Sequence, residues 1–319
     1  MKTLPKKSNI KKSIKQLIKK VYIKFKIALP MGGYPLHKNQ PINPFFIIGS
    51  GRSGTTLLRR ILIYHPKVCI PPETYVLDKC INQFALYNNL PWDHLVNLTL
   101  SILEYHPNFS SFNITLRPLV NELYTTPKEN RSLAHILDRF YHFYADELDL
   151  SCTIWGDKTP RNTYHLGLIH SVFPNAKYIH LIRHGIDVVY SYLRTGLRHG
   201  IVETAKRWEN EIKLAQSFGI NHPSQYIEVH YEELVKDPVE WIHKICNFLD
   251  IEYIEGMIKS SHTLTEQMGD VPRYDHFSKV QNPITTDHIG KGIESLSKEQ
   301  IEVLKGIIGN TIRELGYKL

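Results

Sequence analysis

Residues 49–56 read Gly-Ser-Gly-Arg-Ser-Gly-Thr-Thr and follow the apolar run Phe45–Ile48 directly. Glycines at this spacing let successive backbone N–H groups turn inward. A helix starting behind them adds its free N–H groups and the positive end of its dipole. The product is a concave site for an anion. In a nucleotide triphosphatase loop, Gly-x-x-x-x-Gly-Lys-Ser/Thr, the Lys reaches the terminal phosphates and the hydroxyl holds magnesium. Gly49 and Gly54 fit the first and sixth positions, but Thr55 stands in the Lys place and the cation lies inside the loop as Arg52. Gly51, Arg52, Ser53, Gly54, Thr55 and Thr56 are therefore candidate anion-binding residues, against the alternative of a turn that binds nothing.

Further along, Arg183 ends an apolar run and Ser191 follows it by eight residues. An Arg at a strand end and a Ser two turns into the next helix can converge on one phosphate, the guanidinium giving paired charge-assisted bonds. Taken singly, Arg183 reads as a surface salt bridge and Ser191 as a helix-face hydroxyl. Glu73, after two prolines, is a carboxylate able to take a proton from an attacking hydroxyl, or an exposed acid at a helix start. His65 is a competing base, although Tyr-His-Pro reads as the end of a helix. Lys158 lies in a Pro-containing loop where a solvated Lys is the plain alternative.

These groups must be positioned by the elements around them. "FFIIG" reads as a buried strand and "TTLLRRILIYH" as the helix leaving it. "CTIWG", "AKYIHLIR" and "QYIEVHY" read as further strands, with helices at "GIDVVYSYLRTGL" and "PVEWIHKICNFLDI". A last helix starts at Ser297, with Gln300 three residues on as a capping box. Strands alternating with helices predict an α/β fold: a central parallel sheet flanked by helices, of the P-loop-NTPase kind. Ligands in such sheets bind beyond the carboxyl ends of the strands, here Gly49, Gly156, Arg183 and Tyr231. Residues 76–150 interrupt the alternation as an aromatic-rich helical insertion.

The chain has 39 Lys and Arg against 31 Asp and Glu. Ten of the Lys and no acid fall within residues 1–30, which leaves 29 basic against 31 acidic side chains in the rest. The body is thus not a general nucleic-acid binder. We read residues 1–40 as a basic amphipathic arm and linker, and 41–319 as the working domain. Ile10, Ile14, Leu17, Ile18, Val21, Phe25 and Leu29 recur at helical spacing among the Lys, a pattern for peripheral contact with an anionic membrane through residues 10–29 or for a solvated or packed arm. No run approaches the roughly 18 apolar residues of a spanning helix, and Lys throughout argues against a cleaved signal. This predicts a cytoplasmic protein, at most peripheral on the inner face of a membrane. Cys69, Cys80, Cys152 and Cys246 lack metal or disulfide spacing and read as reduced core residues. The sequons at Asn97, Asn108, Asn113 and Asn130 are given no weight.

The loop and the Arg–Ser pair together resemble the sulfotransferases that use 3′-phosphoadenosine 5′-phosphosulfate (PAPS). Arg-Ser-Gly-Thr-Thr at 52–56 is similar to their 5′-phosphosulfate loop, and "LIRHGIDVVYSYL" to the segment whose Arg and Ser hold the 3′-phosphate. "VHYEELVKDP" resembles a segment that would put Tyr231 at the nucleotide. "DHIGKGIESLS" resembles a late Gly-Lys loop, implying Lys291 on the cofactor phosphates and Gly292 allowing close backbone approach. In tyrosylprotein sulfotransferases a Glu-Thr lies twenty-one residues after the loop Arg, and the Glu is the base; that spacing lands on Glu73 and Thr74. Bacterial carbohydrate-type sulfotransferases share a similar Pro-Pro-Glu segment. "WGDKTPRN" resembles the segment whose Lys, here Lys158, stabilises the transition state, with Asp157 orienting it or capping the next turn.

The resemblance implies transfer of a sulfuryl group from PAPS, without a metal, to a hydroxyl on a glycan, glycolipid or tyrosyl peptide, with residues 76–150 as the acceptor wall. A phosphotransferase with a degenerate loop and a membrane-peripheral nucleotide-binding scaffold remain as rivals.

Overall fold

The computed structural model describes residue 21 and residues 32–38, 40–197, 200–259 and 283–319. Among these, five parallel strands form one sheet flanked by helices, the α/β architecture expected from the alternation. The strands are β1 (Phe45–Ile48), β2 (Val68–Cys69), β3 (Ile154–Asp157), β4 (Lys177–Ile182) and β5 (Tyr226–His230), in the order β2-β3-β1-β4-β5.

β1 is the middle strand, paired to β3 through Phe45 with Gly156 and to β4 through Phe45 with Lys177 up to Ile48 with His180. All four of its residues are buried, as a strand covered on both faces requires. Its side chains alternate between two cores. Phe46 and Ile48 join a cluster with Phe84, Phe140, Tyr141 and Trp155. Phe45 and Ile47 join one with Leu58, Ile61, Ile242 and Ile245.

The first of these faces is covered by helices between the Glu73 segment and β3: α2 (Leu77–Tyr87), α3 (Trp92–Glu104), α4 (Arg117–Tyr124) and α5 (Leu133–Asp146), then α6 (Leu166–Val172). The aromatic residues of 76–150 are mostly core. Phe84, Trp92, Phe109, Phe112, Phe140 and Tyr141 are all buried, so they are not available to stack on a ligand. The opposite face carries α1 (Thr55–Leu62) and, after the short helix α9 (Tyr231–Lys236), α10 (Pro238–Leu249).

A third core joins α7 (Gly185–Arg194), α8 (Ile201–Asn221) and the C-terminal α13 (Lys298–Glu314) around Trp208. Between them lie α11 (Gly256–Lys259) and α12 (Lys291–Ser295). The capping box at Ser297 and Gln300 forms as expected. Residues 32–38 lie on the helical layer, with Tyr34 N–H donating to the Asn88 carbonyl and its ring 5.3 Å from that of Trp92. Apart from Val21, residues 1–31 lie outside the described residues, including 10–29, for which membrane contact was expected. No helix among the described residues is long and apolar enough to cross a membrane.

From β1 the chain crosses to the β2–β3 side, whereas from β4 it crosses the other way to β5. The adjacent ends of β1 and β4 are therefore the switch point where such sheets open a crevice. Gly49 and Arg183 are the first residues past those ends. Phe46 anchors this point, with ring centroids 5.5 Å from Tyr178, 6.0 Å from Trp155 and 6.2 Å from Phe173. Phe46→Ala should cost about 3–5 kcal/mol of stability, read as a lower denaturant midpoint in chemical unfolding; a change below 1 kcal/mol would contradict this packing.

Candidate functional site

The loop after β1 turns by means of three left-handed residues, Gly49 (φ 131°), Arg52 (φ 71°) and Gly54 (φ 94°). Gly54 caps α1 with no side chain, which leaves the first N–H groups of the helix, at Thr55 and Thr56, facing the crevice. The loop is wedged between two rings. A Cβ on Gly51 would lie 2.2 Å from the Tyr192 hydroxyl, and one on Gly54 would lie 2.5 Å from Tyr231 Cδ2. Ser53 sits beneath, fully buried, its N–H bonded to the Ser50 carbonyl.

A cavity of about 910 Å³ opens over this loop. It is lined by Gly51, Arg52, Gly54, Thr55, Thr56, Glu73, Arg183, Ser191, Tyr231 and Lys291, ten of the thirteen residues singled out from the sequence. The other three lie outside it: Ser53 underneath, Lys158 behind Glu73, and Gly292 in α12, packed against the first turn of α7.

Two arginines dominate the floor. Arg52 Nε donates to Ser191 Oγ at 3.1 Å. Arg183 Nη1 donates to the Arg52 carbonyl at 3.1 Å, and its guanidinium stands 4.6 Å from the centre of the Tyr231 ring. Arg183 Nε is buried without a hydrogen-bond partner among the described residues. Burial holds the Arg52 pKa below its usual value; Tyr192 opposes this, while the positive charges of Arg183 and Arg194 add to it. Cations crowded into a partly dry cleft raise one another's electrostatic energy, and a bound anion relieves it. The donor set therefore suits a multiply charged anion, with an orphaned Arg N–H still to be satisfied.

Glu73 lines the same cavity and meets Lys158 behind it. Lys158 Nζ donates to Glu73 Oε1 in a buried ion pair. Neighbouring strand ends hold the two together. Asp157, at the end of β3, accepts from the Thr74 hydroxyl at 2.9 Å, the Tyr141 hydroxyl at 2.6 Å and Asn162 at 2.8 Å, and Thr74 N–H donates to the Thr159 hydroxyl at 3.1 Å. Asp157 thus fixes the residue beside Glu73, a role more specific than orienting Lys158 or capping a turn. Burial raises its pKa, against the bonds it accepts from Tyr141, Thr159 and Thr74.

His65, read from the sequence better as a helix end than as a base, is buried away from the cavity, where its Nδ1 accepts from Lys67 N–H and burial lowers its pKa. Lys291 reaches the rim and pairs there with Glu294 at 2.7 Å. Gly292 lies against backbone, since a Cβ there would lie 2.5 Å from the Ile186 carbonyl oxygen. Asp187, Tyr192 and Tyr75 were passed over. Tyr75 lines the cavity beside Glu73, with φ 58° and its ring stacked on His106 at 5.6 Å. Asp187 had one visible signal, an acid one helical turn beyond Arg183. Among the described residues no group of three or more His, Cys, Asp or Glu lies close enough to hold a metal.

Fold and site together define an α/β transferase built around a nucleotide-type anion loop. The family can be stated directly: a model of the sulfotransferase family matches residues 44–255, and the chain belongs to that family. It is 26% identical over 278 residues to a putative protein-tyrosine sulfotransferase of Caenorhabditis briggsae, covering 85% of this chain and 88% of that protein. An omega-hydroxy-beta-dihydromenaquinone-9 sulfotransferase of Mycobacterium bovis is 22% identical over 298 residues, covering 79% and 74%. The sulfotransferase domain of the Synechococcus PCC 7002 olefin synthase superposes with a TM-score of 0.55 at 23% identity, over 90% of this chain and all of that one, a likeness of fold.

The chain is therefore an enzyme of the sulfotransferase family, and the degenerate phosphotransferase reading falls. The expected cytoplasmic placement is also corrected: the relatives include protein-tyrosine sulfotransferases, which do not bear it out. That expectation rested on the lack of a spanning or signal segment, which does not determine a compartment.

Gly54→Ala should destabilise the protein by roughly 1–3 kcal/mol, from its left-handed backbone and from the collision with Tyr231. In thermal unfolding, combining it with Tyr231→Ala should recover the steric share but not the backbone share; strictly additive effects would show that the ring does not clamp the loop.

Proposed function

We propose that the protein transfers a sulfuryl group from PAPS to an acceptor hydroxyl, releasing adenosine 3′,5′-bisphosphate. The observation that carries this reading is one cavity lined by a glycine-rich loop, two arginines in contact and the carboxylate of a buried carboxylate–ammonium pair. Gly51, Ser53, Gly54, Thr55 and Thr56 form the cradle for the 5′ end of the donor, mostly through backbone N–H groups. Arg183 and Ser191 take the 3′-phosphate, with Tyr231 beside the nucleotide. Lys291 serves the phosphates from the rim once it leaves Glu294, and Gly292 supports that loop through packing.

In the transfer step Glu73 accepts the proton of the attacking hydroxyl as the new oxygen–sulfur bond forms. The bond between sulfur and the 5′-phosphate oxygen breaks, and the leaving phosphate keeps the electron pair. Charge grows on that oxygen, and cationic donors aimed there lower the barrier. Arg52, Lys158 and the N–H groups of Thr55 and Thr56 are the donors available, so the step needs no metal ion. Lys158 is fully buried, and its contact with Glu73 sets the base and the electrophilic donor side by side.

The acceptor enters past Tyr75 and the short turn Pro107–Ser111, whose Asn108 and Ser111 are the parts of the helical insertion that reach the cavity. We take it to be a glycan, glycolipid or tyrosyl peptide. Contact of residues 10–29 with a membrane surface would suit a lipid-linked acceptor.

Calorimetric titration with adenosine 3′,5′-bisphosphate is the direct test. Binding should be readily measurable in the native chain and lost when Arg52 and Arg183 are both changed to Glu; no heat, or unchanged heat in the double variant, sinks the proposal. Glu73→Gln should keep nucleotide binding and lower turnover of labelled PAPS by about 10²–10⁴-fold. Full turnover in that variant would remove Glu73 as the base.

A further inference from the structure

Asp187 is almost completely buried, at 1% exposure, and lines no part of the cavity. Neither the anion cradle nor the transfer step above uses it. Both of its carboxylate oxygens are nonetheless committed, each to a backbone N–H of the same distant loop. Oδ2 accepts from Gly290 at 2.8 Å and Oδ1 from Gly292 at 2.7 Å, more than a hundred residues away in sequence. The loop has no strand or long helix of its own, and α12 behind it has only five residues. Its residues Thr285, Asp287, His288 and Lys291 all line the cavity.

A third tether crosses the same gap. Arg183 Nη2 donates to the His288 carbonyl at 2.6 Å, and the same nitrogen lies 3.9 Å from Asp187 Oδ2. Gly292 completes the seat by lying against the Ile186 carbonyl, where a Cβ has no room. One carboxylate thus docks the loop, and one guanidinium both clasps that loop and faces the cavity.

We propose that Asp187 is a positioning residue: it docks residues 283–292 as a strap across the nucleotide end of the cavity, and so presets Arg183 for the donor's terminal phosphate. The inference rests on the donor reading given above. Two charge-assisted bonds to a single carboxylate hold the strap, and neither is made by a group that touches the donor. Binding and strap docking are coupled through Arg183, which serves both. Losing the dock therefore lowers nucleotide affinity, because the population with Arg183 correctly placed shrinks. Once the donor is bound the strap is in place, and the transfer step, which belongs to Glu73 and Lys158, is unaffected.

The test uses Asp187→Asn in the full chain, with two independent readouts. Hydrogen exchange without any ligand should show faster exchange across residues 283–292 than in the native protein. Titration with adenosine 3′,5′-bisphosphate should show at least a tenfold rise in Kd, with kcat at saturating donor within twofold of native. Asp187→Glu should recover part of the affinity, whereas a merely structural defect would lower kcat as well. Gly292→Ala, which leaves the carboxylate in place and pushes the strap off Ile186, should reproduce both effects and decides the matter if Asp187→Asn does not fold. Native exchange and native Kd in either folded variant overturn the proposal, as does a loss confined to kcat. If the native chain binds no nucleotide, the donor reading fails on its own, and the exchange result still decides whether Asp187 docks the strap.

Discussion

Two guanidinium groups in one cleft are the constraint on which the arrangement depends. Arg52 and Arg183 sit at the ends of adjacent parallel strands, close enough that Arg183 bonds to the Arg52 backbone carbonyl. Cations so placed repel one another, and the contacts that hold them include neutral acceptors and a π-face. Arg52 is held by the Ser191 hydroxyl, and Arg183 by two carbonyls and the Tyr231 ring. The nearest acid to Arg183, Asp187, stays 3.9 Å away with its oxygens committed to other N–H groups.

Lys158, by contrast, is paired with Glu73 in a nearly dry environment. Breaking a buried pair by removing one partner strands a charge, so the two positions are tied to one another. Geometry is enforced from behind by Asp157, Thr74 and Tyr141, which lock the segment after β2 onto the end of β3. This pair carries no net charge, whereas the loop side of the cavity carries two guanidinium groups. On the reading proposed above, the anionic donor lies against the guanidinium groups and a neutral hydroxyl approaches the pair.

The sequence disclosed what is local and withheld what is tertiary. β1, its loop, β4 and β5 were legible because each carries a compact apolar run ending in unusual residues, and parallel topology followed from their alternation with helices. The two-residue β2 has no periodicity to detect, and it is a strand only because Val68 pairs with Ile154 and Cys69 with Trp155. Aromatic residues of 76–150 suited either core packing or stacking on an acceptor, since a helix face does not announce which side is inward; here most fill the core around Phe46. Glu73 and Lys158 were both found, 85 residues apart, but by family resemblance and not by any signal that they would touch. Gly292 was marked for close backbone approach, and the backbone it meets, that of Ile186 on α7, is a tertiary neighbour with no signal in the sequence.

The substitution of Thr55 for the usual loop Lys gains its meaning from this division of charge. A Lys at the first turn of α1 would project one mobile ammonium into the loop end. Here the cations arrive instead from Arg52 inside the loop, held to α7, and from Arg183 at the end of β4, so that charge is fixed by two elements in addition to α1. Guanidinium groups present several N–H donors in a plane, and a tetrahedral anion can be gripped by such a plane without a bridging metal. Tight contacts at Gly51 and Gly54 hold the loop that carries Thr55 against the rings of Tyr192 and Tyr231. The loop has kept the backbone geometry of an anion cradle while its cationic work has moved to strand ends, where the sheet itself holds the charges in register.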